Sequence, residues 1–338
     1  MNYIRTQFYP IGMTKKYVSL LLFLVFSNVF SQVKDSINNT VQQFKIDENT
    51  TYGFTKPTTW DMFRYIPRDI ASIGTFAVQK ENLKWDALAL GSTLAIMPYD
   101  QKIMNDANKL GADIGGWDKD SRYKRVLGLE MFPTSVSSGV YYLGNGNTTL
   151  LLSGMFYAIG KIGKVDYRAI NTSNELIEVL FSVGVSTQTI KRITGRQSPV
   201  AAIKSGVDGG EWNPFPSFTA YQKTTPNYDA MPSGHMATYI ATLTVIATNY
   251  PEIKWIKPVG YSLGTLLAFN MVSGRVHWTS DYPIAVFMGY VMGKTIANRR
   301  IIKKETALNT GTKKTTFKTN YSFNRLNNMN LIGATITF

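Results

Sequence analysis

The 338-residue sequence predicts a mostly α-helical protein, a bundle of about six core helices followed by a short C-terminal β-hairpin. Three observations lead there. From residue 83 onward, apolar stretches recur at helical spacing and end in capping residues, glycine or proline. From Thr316 to Phe338 the pattern changes to a period of two around Asn327-Asn328, as in a hairpin. Apolar residues make up 44% and charged residues 17%, a balance that fits a packed core and excludes a disordered chain.

Taken in order, residues 1–31 read as a secretory signal peptide. Lys15 and Lys16 precede the apolar run Tyr17–Phe26, and Val29-Phe30-Ser31 offers a cleavage site before Gln32. The run is shorter than the roughly 20 residues of a membrane span. Export across the inner membrane to the periplasm or cell envelope is therefore expected. Residues 32–58 are polar and lack periodicity, and predict an irregular arm. A peripheral helix follows over Trp60–Val78, spaced on Phe63, Ile66, Ile70 and Ile73, with Pro67 interrupting it or lying in its first turns. Residues 32–79 thus form an N-terminal arm and peripheral helix.

The main helical domain is expected over residues 80–298. Ala87–Met97 is an apolar helix closed by Pro98, and the polar stretch 100–135 predicts two short helices with loops. Val140–Ile162 is broken at Gly144-Asn145-Gly146-Asn147, which predicts two helices and a turn. Thr172-Ser173-Asn174-Glu175 has the capping-box pattern and opens a helix to about Ile193. Residues 195–231, rich in Gly, Pro, Ser and Asn, form a long loop of the kind that covers a site. Helices over His235–Thr248, Ile256–Ser273 and Pro283–Asn298 complete the domain. Residues 299–338 are a basic linker and the hairpin; two strands are too few for a membrane barrel.

The formal net charge is +14, and Lys294–Arg325 holds nine Lys or Arg against one Glu. No nucleic-acid-binding motif accompanies this charge, so no nucleic-acid partner is expected. A membrane surface or anionic substrates fit it better, and a solvated basic tail explains it equally. With no cysteine, disulfides and thiolate metal sites are excluded.

Chemistry concentrates in three stretches. Lys191 lies in the last turn of a helix that Gly195 ends, and Arg196 follows in the loop. The pair offsets the helix dipole or clamps an anion. Ser233-Gly234-His235 opens an apolar helix; Ser233 is a good N-cap, and the same geometry makes an anion site of the helix start. His277 and Asp281 are four apart, a spacing at which the carboxylate fixes the imidazole tautomer. Asp281 also suits an N-cap, with Pro283 in the next helix's first turn. Arg275 adds a third cation. His235 and His277 are the chain's two histidines, and with Asp281 they are too generically spaced to specify a metal.

Lys191 to Pro199, Pro232 to His235 and His277 to Asp281 together resemble, in order and spacing, the signature of the type 2 phosphatidic-acid phosphatase and vanadium haloperoxidase superfamily. That signature reads Lys-x6-Arg-Pro, Pro-Ser-Gly-His and Ser-Arg-x5-His-x3-Asp, and the resemblance covers about residues 80–298. It implies a helical bundle and metal-free, cofactor-free phosphoryl transfer through a phosphohistidine. His277 would be the nucleophile, Asp281 its orienting group and His235 the acid and base. Lys191, Arg196, Ser233, Gly234 and Arg275 would bind the phosphate. The chain departs from the signature twice, with Ser198 and Met271 at the phosphate-binding arginine positions. Arg196 and Arg275 are expected to reach the phosphate in their place. The implied function is an extracytoplasmic phosphatase of phosphomonoesters or diphosphates, acting on lipid phosphates or small phosphoesters. The alternatives are a haloperoxidase with vanadate as cofactor, or an inactive envelope protein that binds anionic lipids.

Overall fold

The computed structural model describes residues 40–117, 123–126, 129–162, 164–305, 318–326 and 329–337. The signal-peptide reading of residues 1–31 lies outside them. The chain divides into two compact units, with the boundary between Lys304 and Glu305.

The arm expected to be irregular forms a hairpin. Strands β1 (Val41–Lys45) and β2 (Thr50–Thr55) pair antiparallel, with Phe44 opposite Tyr52. Asp47 makes the turn by accepting hydrogen bonds from the Asn49 and Thr50 N–H groups. Phe44 and Phe54 are buried edge to face, centroids 5.8 Å apart. Strand β5 (Ile302–Glu305) completes the sheet in the order β1-β2-β5. The side chain of Gln42 clamps the sheet to the helices, donating to Val165 O at 2.6 Å and accepting from Tyr167 N at 2.7 Å. Alternation spread over two short polar strands was too weak a signal to read from sequence.

Helices α1 (Asp61–Arg64) and α2 (Ile66–Ala77) follow, with Pro67 in the first turn of α2. Next come α3 (Leu83–Ile96) and α4 (Asp100–Asp113). The second short helix expected before residue 135 is instead an antiparallel pair, β3 (Tyr123–Val126) and β4 (Leu129–Pro133). The broken apolar stretch gives α5 (Val136–Tyr142) and α6 (Gly146–Lys161).

Helix α7 (Tyr167–Thr194) is the axis of the bundle. It begins earlier than the capping-box pattern suggested: Asp166 is its N-cap and accepts from Ala169 N at 2.9 Å. Thr172 is buried within the helix and donates to Arg168 O, while Glu175 joins a buried ion cluster. Two short helices, α8 (Pro199–Ser205) and α9 (Phe218–Lys223), interrupt the long loop beyond α7. Helices α10 (Gly234–Asn249), α11 (Ile256–Ser273) and α12 (Tyr282–Arg300) close the bundle.

The apolar core is drawn chiefly from α4, α6, α7, α10, α11 and α12, with Met104, Phe156, Leu176, Val179, Val183, Ile240, Leu267 and Ile296 among its members. Burying each such side chain contributes about 1.5–3 kcal/mol. Ion pairs add orientation at the N-terminal half of α7. Arg299 pairs with Asp69 of α2 and with Glu178, and Arg300 reaches Glu178 at 2.6 Å. Asn249 donates to Glu175. Burial pushes the carboxyls of Glu175 and Glu178 up to about 8 each, Glu178 further through its hydrogen bond with Asp69.

The second unit contains the expected C-terminal hairpin, β6 (Lys318–Leu326) and β7 (Met329–Thr337), in register from Lys318 opposite Thr337 to Leu326 opposite Met329.

Candidate active site

Four pieces of chain, from α4, α7 and the starts of α10 and α12, meet at one end of the bundle. Lys191 sits in the last turn of α7, which ends at Gly195 in the left-handed conformation, φ 57°. Only glycine serves there, because a Cβ would lie 1.8 Å from Asn213 O. The Asn213 N–H in turn donates to Gly195 O at 2.8 Å, so the loop is tied down over the helix end. Lys191 is nearly buried, with Asp229 Oδ2 3.6 Å from its Nζ.

Ser233 caps α10, accepting from Met236 N at 3.3 Å. The N–H groups of Gly234 and His235 belong to the first turn and lie outside the helical ladder. Lys191 Nζ lies 3.9 Å from where a Cβ of Gly234 would stand. A lysine is thus held against the positive end of a helix dipole. His235 follows on the same turn, and its imidazole is pulled down to about 3 by burial, then by His277 and Lys191.

His277 is placed by the turn that ends α11. Val276 N donates to Met271 O at 2.8 Å, and Arg275 takes the left-handed conformation, φ 60°. Trp278, fully buried, donates from its indole to Gln197 O and from its backbone to Asp281 Oδ2. Asp281 Oδ2 lies 3.4 Å from His277 Nδ1. The rings of His277 and His235 are 6.1 Å apart, centroid to centroid.

The structure therefore brings Lys191, Ser233, Gly234, His235, His277 and Asp281 together. The two arginines behave differently from expectation. Arg196 is buried and points at carboxylates: Nη1 donates to Asp281 Oδ1 and Ser280 Oγ, each at 2.7 Å, and Nη2 to Asp100 Oδ2 at 2.6 Å. Its guanidinium also lies over Trp212 and Trp278. Its terminal nitrogens are thus committed to the groups behind His277. Arg275 is exposed, and its Nη2 donates to Asn108 Oδ1 at 2.8 Å. One helical turn from Met271 was the right distance along the chain, but the left-handed turn directs the side chain to α4.

Sequence reasoning missed Asp100, Ser280 and Tyr141. Asp100 is fully buried and accepts from Ser280 N and Oγ as well as from Arg196. Its one sequence signal was a carboxylate opening a helix right after an apolar one, which an N-cap explains. Tyr141 packs on His235, ring centroids 4.6 Å apart. Among the described residues no helix is long and apolar enough to cross a membrane.

Residues 174–301 match the family model described as the PAP2 superfamily. Among curated proteins none matches the chain. Among solved structures, the chain is similar to a transmembrane PAP2 type phosphatidylglycerolphosphate phosphatase from Bacillus subtilis. The two are 15% identical over 70% of this chain and 93% of that one, with a TM-score of 0.34.

Proposed function

We infer, from the premise that residues 174–301 are a PAP2-superfamily region, that the chain is a phosphatase working through a phosphohistidine, outside the cytoplasm and without metal or other cofactor. One observation carries this reading. Lys191 is held beside the N-terminus of α10 and a histidine whose charged form is disfavoured, with Asp229 at 3.6 Å as its ion-pair partner. Positive potential gathered around the N–H groups of a helix start favours an anion, and a phosphoryl group offers oxygens to all of them.

In the first step His277 attacks phosphorus through Nε2. The P–O bond to the leaving group breaks, and the leaving alkoxide takes a proton from His235. In the second step water attacks the phosphohistidine, the P–N bond breaks and His235 takes the water's proton. Asp281 holds the Nδ1 side of the ring and offsets the charge that develops on it. Lys191, the Ser233 hydroxyl and the Gly234 N–H hold the equatorial oxygens. Arg196 acts through Asp281, holding that carboxylate in place by its hydrogen bond to Oδ1.

Lipid phosphates are the substrate class we favour, presented at a membrane surface. Helix α3 supports this: it is apolar around most of its circumference, and Trp85, Leu88, Leu90 and Leu94 are each at least half exposed.

The test is phosphate release in EDTA from lipid phosphates and small phosphoesters, with His277→Ala as control. Release that survives the chelator and disappears in the variant is expected, with an acid-labile phosphoprotein that forms only when His277 is present. Chelator-sensitive release, or a phosphoprotein in His277→Ala, overturns the mechanism.

A further inference from the structure

A wall built from residues before the PAP2 region lies against His235. Tyr141, near the end of α5, packs its ring on the imidazole at 4.6 Å with the planes inclined by 50°. Gly144, in the turn to α6, closes in on the same residue: a Cβ there would come within 2.9 Å of His235 Cβ and 3.0 Å of Leu267 Cδ2. Tyr123 of β3 backs this wall. Its ring is 6.4 Å from that of Tyr141 and 5.8 Å from that of Tyr142, and its hydroxyl donates to Ser138 O at 3.1 Å.

His235 is the group that meets the leaving oxygen in the proposed function, and a specificity assigned to its surroundings rests on that reading. The atoms around His235 decide what leaving group is tolerated. The Tyr141 ring packs on the imidazole and Gly144 lies against the Cβ of His235, while the charges acting on the imidazole are those of His277 and Lys191. Both are already needed at the transferred phosphoryl group. A second phosphate beside that ring would bring roughly 1.5 to 2 negative charges onto the aromatic face. An aromatic face repels negative charge, and burying an unpaired charge is costly. An alkyl group there instead gains apolar contact.

We propose that Tyr141 is a specificity-determining residue on the leaving-group side, and that the substrate is a monoester of an apolar alcohol rather than a diphosphate. The bond broken is then the P–O bond of a carbon ester, and the departing alkoxide carries away the proton of His235.

The experiment uses the full chain with three substrates: hexyl phosphate, glycerol 3-phosphate and inorganic pyrophosphate. The first two are alkyl monoesters that differ chiefly in the polarity of the alcohol. The wild type should favour hexyl phosphate in kcat/KM over both others. Tyr141→Phe should keep the ratio of hexyl to glycerol phosphate. Tyr141→Ser should lower it about tenfold, through KM for hexyl phosphate, with inhibition by inorganic phosphate unchanged. If the serine variant is insoluble, Tyr141→Gln is read the same way. Preference for pyrophosphate, or equal loss on both monoesters, overturns the assignment while leaving the phosphatase reading intact. No release from any of the three, with no inorganic phosphate bound in calorimetry, overturns both.

Discussion

Arg196 donates from Nη1 to Asp281 Oδ1 at 2.7 Å, and both side chains are buried. With Asp100 on the other terminal nitrogen, Arg196 is an internal counter-ion shared by two carboxylates. Deleting one member of such a group leaves buried charge uncompensated, at a cost of about 3–5 kcal/mol. Arg196→Ala should therefore unfold at markedly lower denaturant. Arg196→Lys keeps the charge but cannot span both carboxylates, and should fold with kcat lowered on the order of tenfold to a hundredfold through misplacement of His277. Inhibition by inorganic phosphate should change little. Weakened phosphate inhibition with unchanged kcat would place Arg196 on the phosphate instead.

Arg275 occupies left-handed backbone at the end of α11, a conformation costing a non-glycine residue about 1–3 kcal/mol. Its side chain is turned to Asn108. Arg275→Gly should raise the midpoint of thermal unfolding and leave phosphate inhibition unchanged. A tenfold loss of phosphate affinity would show that the side chain swings inward when phosphate binds.

Burial, His277 and Lys191 hold His235 down at about 3, against an ordinary value of 6.5, so the free protein carries it neutral at every pH above that. The proton for the leaving group must then arrive with the substrate, as a phosphate monoanion whose second ionisation lies near pH ~6. Above that pH, kcat/KM should fall about tenfold per unit, because the proton-carrying form of the substrate declines. A profile flat to pH 8 would require His235 to be protonated from solvent.

Three carboxylates, Asp69, Glu175 and Glu178, share two arginines at the N-terminal half of α7. The raised Glu175 carboxyl, about 8 when folded against an ordinary 4.5, binds its proton more tightly in the folded chain. Its contribution to stability is complete below pH 4.5 and is lost as the pH rises through 8. Glu175→Gln keeps the neutral form at every pH. The variant should therefore gain thermal stability relative to wild type at pH 8 and little at pH 5; the opposite order would mean that Glu175 is ionised and paired.

The helical bundle and its terminal hairpin were legible because periodicity is a local property that survives packing. So were Lys191, Ser233, Gly234, His235, His277 and Asp281 as one cluster, since each motif is short and the three together resemble one signature in order and spacing. What could not be read was direction. Whether Arg196 faces a phosphate or a carboxylate depends on Asp100, nearly a hundred residues away, and on a loop that Gly195 lets through. The strands at Val41–Lys45 and Thr50–Thr55 failed to register for a related reason. Two aromatic residues meeting across a hairpin leave almost no pattern along either strand.

Helix α7 carries Lys191 at one end and Glu178 thirteen residues earlier, about 20 Å along its axis. A rigid rod held by ion pairs at that distance converts small rotations at its root into displacement of the ammonium at its tip. A random-mutagenesis screen for altered turnover should thus return hits at Asp69, Asn249 and Arg299, positions that touch no substrate. Alongside them would come the expected ones at the histidines.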